Sequence, residues 1–135
     1  MSQKTIILIS CVSKKLMFPA AAKDLYTSSL FRKALKYAEF LSPEAIYVLL
    51  AKHGLLGLDE IVEPYDLTLN QLSVSEVKHW AQRTVDQLKQ VANLASDKFI
   101  FLAGERYRRF IVPRLPFAEI PLRGLPIGKQ IPRRL

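Results

Sequence analysis

Residues 45–69, AIYVLLAKHGLLGLDEIVEPYDLTL, decide how the chain is read. Ala45 to Ala51 is a continuous apolar run of strand length, and such a run without polar alternation marks a strand covered on both faces. The pattern breaks abruptly at Lys52, His53 and Gly54. After Leu55 to Leu58 come Asp59, Glu60, Glu63, Pro64, Tyr65 and Asp66, a stretch dense in ionisable groups. A buried strand ending in such a stretch fits an open α/β sheet, where ligands bind just beyond the carboxyl ends of the strands.

Towards the N-terminus, Thr5 to Ser10 (TIILIS) reads as a second strand of the same kind. A long connection with Pro19 and two lysine clusters follows it. A helix then begins near Thr27 to Ser29, either of which can cap it. Leu30, Ala34, Leu35, Ala38 and Leu41 recur at helical spacing, with Arg32, Lys33, Lys36 and Glu39 on the other side. Ser42-Pro43 stops this helix.

Towards the C-terminus, Ser73 to Glu76 forms a capping box, with Leu72 and Val77 placed as a hydrophobic staple. The long helix it opens carries Val77, Trp80, Ala81, Val85, Leu88, Val91 and Ala95 on one face, with His79 facing solvent. Phe99 to Ala103 reads as the third strand and Glu105 to Val112 as a short helix. Phe117 to Leu122 reads as a fourth strand, moved towards an edge by Pro121. Gly124 to Leu135 reads as an irregular basic tail. The order predicts a single three-layer α/β domain over residues 1–135, with a mostly parallel four-stranded sheet and helices on its faces.

Half of the 135 residues are hydrophobic and 24% are charged, which excludes a disordered chain. Twenty Lys+Arg against 12 Asp+Glu give a net charge of +8, which favours phosphate-bearing partners. One cysteine, Cys11, allows no internal disulfide. With two histidines it makes a thin ligand set, so no metal and no cofactor are expected. The first apolar run is too short for a signal peptide or a membrane span, so no membrane partner is expected and the cytoplasm is the default location. The oligomeric state is not legible.

Three strand ends should converge: Ser10 to Lys15, Ala51 to Gly54, and Ala103 to Tyr107. Cys11 reads as a nucleophile activated by nearby cations, or as a small apolar filler. Ser13, Lys14 and Lys15 read as phosphate ligands or as solvated loop groups, with no Walker or Rossmann glycine pattern around them. His53 reads as a proton carrier or as a turn histidine, and Lys52 as an anion clamp. Gly54 permits a sharp turn or a close ligand approach. Asp59, Glu60, Glu63 and Asp66 are partners for His53 or for a ribose hydroxyl, or else surface charge. Tyr65 stacks on a base or anchors its loop, and Tyr26 and Tyr107 pose the same choice. Gly104 and Glu105 complete the ligand-binding set. The expectation is an enzyme acting on a nucleotide, nucleobase or nucleic acid, with His53, Cys11 and Lys52 as the catalytic groups. The alternative is a non-catalytic DNA- or RNA-binding protein that uses Lys129, Arg133 and Arg134 of the tail.

These residues also carry a resemblance. Ile9-Ser10-Cys11-x-Ser13-Lys14-Lys15, the D-L-Y-T-S-x-L-F-R-K-A of residues 24–34, A-K-H-G-L-L at 51–56, E-P-Y-D-L-T-L at 63–69 and P-L-x-G-L-x-I-G-x-Q at 121–130 are combined here. The set resembles a group of small bacterial and phage proteins known only as a domain of unknown function, and it spans nearly the whole chain. A looser similarity runs to the YaaA peroxide-stress proteins, which pair an early I-S-P-A-K with a later G-x-L-x-P-x-D-x-I-x-P-Y-R-L. The corresponding stretches are Ile9 to Lys15 and Gly54 to Leu69, with Cys11 in place of the proline and Asp66 in place of the arginine. No helix-hairpin-helix is evident. That similarity implies DNA binding; the alternative nucleic-acid binder, expected to prefer DNA to RNA, would be of a stress-response or defence type.

Overall fold

The computed structural model of the chain describes residues 3–10, 17–25, 29–65 and 67–121. In chain order the elements begin with β1 (Thr5–Ser10), β2 (Ala20–Ala21), α1 (Ala22–Leu25) and α2 (Ser29–Phe40). There follow β3 (Ala45–Leu50), β4 (Gly54–Gly57), β5 (Ile61–Val62) and α3 (Val74–Lys89). The order closes with β6 (Lys98–Leu102), α4 (Glu105–Arg108) and β7 (Ala118–Glu119), and 3-10 turns occupy Leu69–Gln71 and Val112–Arg114.

β1 is the middle strand of a five-stranded sheet ordered β4-β3-β1-β6-β7. It pairs in parallel with β3 and with β6, placing Ser10 opposite Leu49 and Ile9 opposite Leu102. Successive side chains of a strand point to opposite faces. Ile6 and Leu8 accordingly cluster with Leu49, Phe99, Phe101 and the inner face of α3. Ile7 and Ile9 cluster with Val48, Leu50, Ile100, Leu102 and the inner face of α2. Both faces of β1 are thus buried, which is why TIILIS shows no polar alternation. Each of these aliphatic side chains stabilises the fold by about 1.5–3 kcal/mol relative to exposure.

The α/β class and the mostly parallel sheet agree with the sequence reading, and the strand count does not. The sheet has five strands rather than four, because β4 turns back antiparallel on β3, with Leu50 opposite Gly54 and Tyr47 opposite Gly57. The expected strand at 117–122 is only Ala118–Glu119 among the described residues, an edge strand parallel to β6. β2 and β5 form a separate two-stranded antiparallel ribbon.

The helices are close to expectation. In α2 the anchor is the fully buried Phe31 with Ala34 and Ala38; Leu30 is only partly buried. Ser42 then adopts left-handed backbone (φ 48°), its N–H reaches the Glu39 carbonyl, and Pro43 prevents continuation. The capping box of α3 is present: Glu76 N donates to Ser73 Oγ at 3.2 Å, and Ser73 N to Glu76 Oε1 at 3.0 Å. Those bonds to Ser73 hold the Glu76 carboxyl below the usual carboxylate range. α3 buries Val77, Trp80, Ala81, Val85 and Leu88 but ends at Lys89, so Val91 and Ala95 lie beyond it and are exposed. The helix expected at 105–112 stops at Arg108. No helix among the described residues is long and apolar enough to cross a membrane.

Candidate functional site

The K-H-G segment is the tip of the β3–β4 hairpin. Ala51, Lys52 and His53 form the turn, and Gly54 closes it with a φ of 76°, the left-handed backbone on which short hairpin turns rely. A Cβ at Gly54 would also overlap the Gln87 side-chain amide. The backbone therefore favours glycine, and a side chain here would have to push the Gln87 amide off its bonds to His53 O and Leu55 N.

One stripe of α3 grips the turn through its backbone. Trp80 Nε1 donates to the Leu50 carbonyl at 2.9 Å, and Arg83 Nη2 donates to the Lys52 carbonyl at 3.0 Å. Gln87 bridges the turn: its Nε2 donates to the His53 carbonyl at 3.0 Å, and its Oε1 accepts from Leu55 N at 2.9 Å. Thr84, fully buried, returns its hydroxyl to the Trp80 carbonyl at 2.8 Å. Residues 80, 83, 84 and 87 share one helix face at the usual three-to-four-residue spacing. Trp80 is core, as expected, and also a hydrogen-bond donor to the strand end. Arg83 and Gln87 were missed by the sequence reading; the one available signal was polar groups flanking the apolar stripe of α3.

Because the grip uses main-chain atoms, the Lys52 and His53 side chains remain available. Lys52 is exposed and His53 half-buried. Tyr65 joins them: its ring lies edge-on to His53 at 5.7 Å and 81°, and Lys52 Nζ stands 5.9 Å from its centroid. The Tyr65 hydroxyl lies 3.5 Å from Lys52 N, at the long limit of a hydrogen bond, and the ring packs against both apolar clusters. Tyr65 thus anchors its loop to the hairpin tip. Burial first, then the charges of Lys52 and Arg83, push the His53 imidazole below its ordinary value, against a smaller opposing effect of Glu60. The same surroundings favour the neutral imidazole over the imidazolium. An open groove of about 410 Å³ adjoins the hairpin tip, lined by Ala51, Lys52, His79, Trp80 and Arg83, by Leu67 and Leu72, and by Glu76.

The neighbouring strand ends lie alongside, as the parallel register requires. Ser10 Oγ accepts from Gly104 N at 3.3 Å, tying the end of β1 to the start of α4. Gly104 is exposed, and a Cβ there would meet nothing within 4 Å, so no crowding requires glycine. Glu105 and Glu63 are exposed. Asp59 pairs with Lys23 of α1 at 2.9 Å, and Glu60 Oε2 accepts from Gly57 N at 2.6 Å, so both carboxylates already have partners. Cys11, Ser13, Lys14, Lys15, Tyr26, Asp66 and the tail residues Lys129, Arg133 and Arg134 lie outside the described residues.

A larger concavity of about 880 Å³ lies at the opposite edge of the sheet, around Lys4, Asn93 and Asp97. Its acidic group is committed to structure: the Asp97 carboxylate accepts from Asn93 N at 2.9 Å and from Lys4 N at 3.1 Å. Its pKa is lowered chiefly by the Asn93 bond. Among the described residues no group of three or more His, Cys, Asp or Glu is gathered as a metal site would need.

No curated protein matches this chain. A family model matches residues 6–133, nearly the whole sequence, and the chain belongs to that family, DUF6884, whose function is unknown.

Proposed function

We propose that the protein is an enzyme acting on a nucleotide, nucleobase or nucleic acid, with its site at the β3–β4 hairpin tip. The observation that carries this reading is the presentation of Lys52 and His53 on a turn held through its backbone by α3, whose Arg83 guanidinium donates to the Lys52 carbonyl beside them. Lys52 and Arg83 are the charges for a phosphate or carboxylate, and His53 is the general base. Tyr65 orients Lys52 and His53, and the groove between Trp80 and Leu72 accommodates the apolar part of the ligand.

A thermal-shift panel of nucleosides, nucleotides and modified bases tests this, run on wild type and on Lys52→Ala/His53→Ala. Ligand at 100 times its Kd stabilises the folded state by about 2.7 kcal/mol, which is a shift of several degrees. A small nucleotide should raise Tm in the wild type and not in the variant, whose α3 grip is intact because it uses only main-chain atoms of these residues. Equal stabilisation of both proteins would move the ligand elsewhere and return the K-H-G turn to architecture.

A further inference from the structure

Immediately after β6 the chain runs Glu105-Arg106-Tyr107-Arg108-Arg109-Phe110-Ile111-Val112-Pro113-Arg114, four arginines against one carboxylate. The inner face of this segment is fixed. Tyr107 and Ile111 are buried, the Tyr107 ring meets Trp80 edge-on at 5.6 Å, and its hydroxyl accepts from Leu69 N at 3.3 Å. Arg106, Arg109 and Arg114 are exposed. Arg108 Nε donates to the Ala103 carbonyl at 3.3 Å, and Arg114 Nη1 donates to Gln82 Oε1 at 2.8 Å, which ties the surface to β6 and α3. In its middle, the half-buried Phe110 packs against the core, with Lys78 Nζ 5.4 Å and the Arg109 guanidinium 5.0 Å from its ring centroid.

None of these five cations forms an ion pair among the described residues; the ion pairs there involve Lys23, Lys89 and Lys98. Like charges held together without counter-charges repel one another, and a polyanion relieves that repulsion. The composition narrows the polyanion. Guanidinium forks match phosphate oxygens in pairs, and the exposed part of the half-buried Phe110 ring adds an apolar contact for an unpaired base. An acidic protein surface would use the charges and leave Phe110 without a counterpart.

We propose that this arginine surface binds the sugar–phosphate backbone of a single-stranded nucleic acid. It stands at the same sheet edge as the hairpin tip, and it rests on the preceding reading only in taking nucleotides as the ligand class.

The test is fluorescence anisotropy with a labelled single strand of about 20 nucleotides, titrated between about 50 and 200 mM KCl. The informative variant is Arg106→Gln/Arg109→Gln, exposed residues whose side chains make no hydrogen bond among the described residues. The control is Arg32→Gln/Lys33→Gln, which removes the same charge from exposed positions of α2 on the other face of the sheet. The arginine variant should bind roughly tenfold more weakly at the lowest salt, and its log–log salt slope should be shallower by about 1.4, two lost phosphate contacts on a single strand. The control should stay within about twofold of wild type. Equal weakening by both variants would reduce the effect to net charge and overturn the proposal, as would no binding by wild type at the lowest salt. The two readings fail separately. Lys52→Ala/His53→Ala tests nucleotide binding at the tip, and the arginine variant should keep any nucleotide-induced stabilisation.

Discussion

Gly54 is the residue on which the hairpin tip depends. Its φ of 76° suits glycine, and its missing Cβ leaves the space that the Gln87 amide occupies. Gly54→Ala should therefore destabilise the fold by about 2 kcal/mol or more, through backbone strain and displacement of Gln87 together. Gly54→Asn separates the two causes, since asparagine tolerates left-handed backbone. If crowding contributes as the geometry says, Gly54→Asn is nearly as damaging in urea unfolding; recovery to wild-type stability would leave conformation as the whole explanation. From K-H-G alone this glycine allowed a sharp turn or a close ligand approach, and the structure shows the turn. That Gln87 fills the space beside it was not, because the two residues are far apart in sequence and meet only when α3 docks on the sheet.

At the scale of elements, the site is a hairpin held by a helix. The bridge from Gln87 to His53 O and Leu55 N is part-buried, so removing it leaves two main-chain groups short of partners. Gln87→Ala should cost about 1–3 kcal/mol, lowering the urea midpoint with an unchanged slope. The Leu55 amide should then exchange faster with solvent, while the amides of β1 keep their order of protection. A variant as stable as wild type would mean that the grip of α3 rests on Trp80 and Arg83. The major elements were readable because each obeys a local rule: unbroken apolar runs for β1, β3 and β6, and a capping box for α3. β4 escaped because four residues, Gly54–Gly57, bounded by glycines and lacking alternation, give too little period to separate a strand from a loop. The consequence is functional, since a hairpin tip fixes Lys52 and His53 far more firmly than a loose post-strand loop would.

For the whole molecule, the parallel pairing of β1 with β3 and β6 gathers sequence-distant strand ends at one edge of the sheet. This convergence followed from the β-α-β order, which predicts parallel neighbouring strands. The distribution of charge over the surface did not follow from the net value of +8. The arginines of 106–114 form a patch only because Tyr107 and Ile111 turn inward and set the others outward. The central claim is that an anionic ligand sits at the hairpin tip, and His53 reports on it directly. In the free protein, burial and the neighbouring Lys52 and Arg83 keep the imidazole pKa below 6.5. A bound phosphate would favour the imidazolium and raise that pKa. The decisive measurement is the His53 titration by NMR, with and without the nucleotide that stabilises the protein most, using His53→Gln to assign the resonance. The predicted result is a midpoint below the ordinary imidazole value that moves upward on binding. An unchanged midpoint, with ligand-induced shifts confined to other parts of the molecule, would contradict the account.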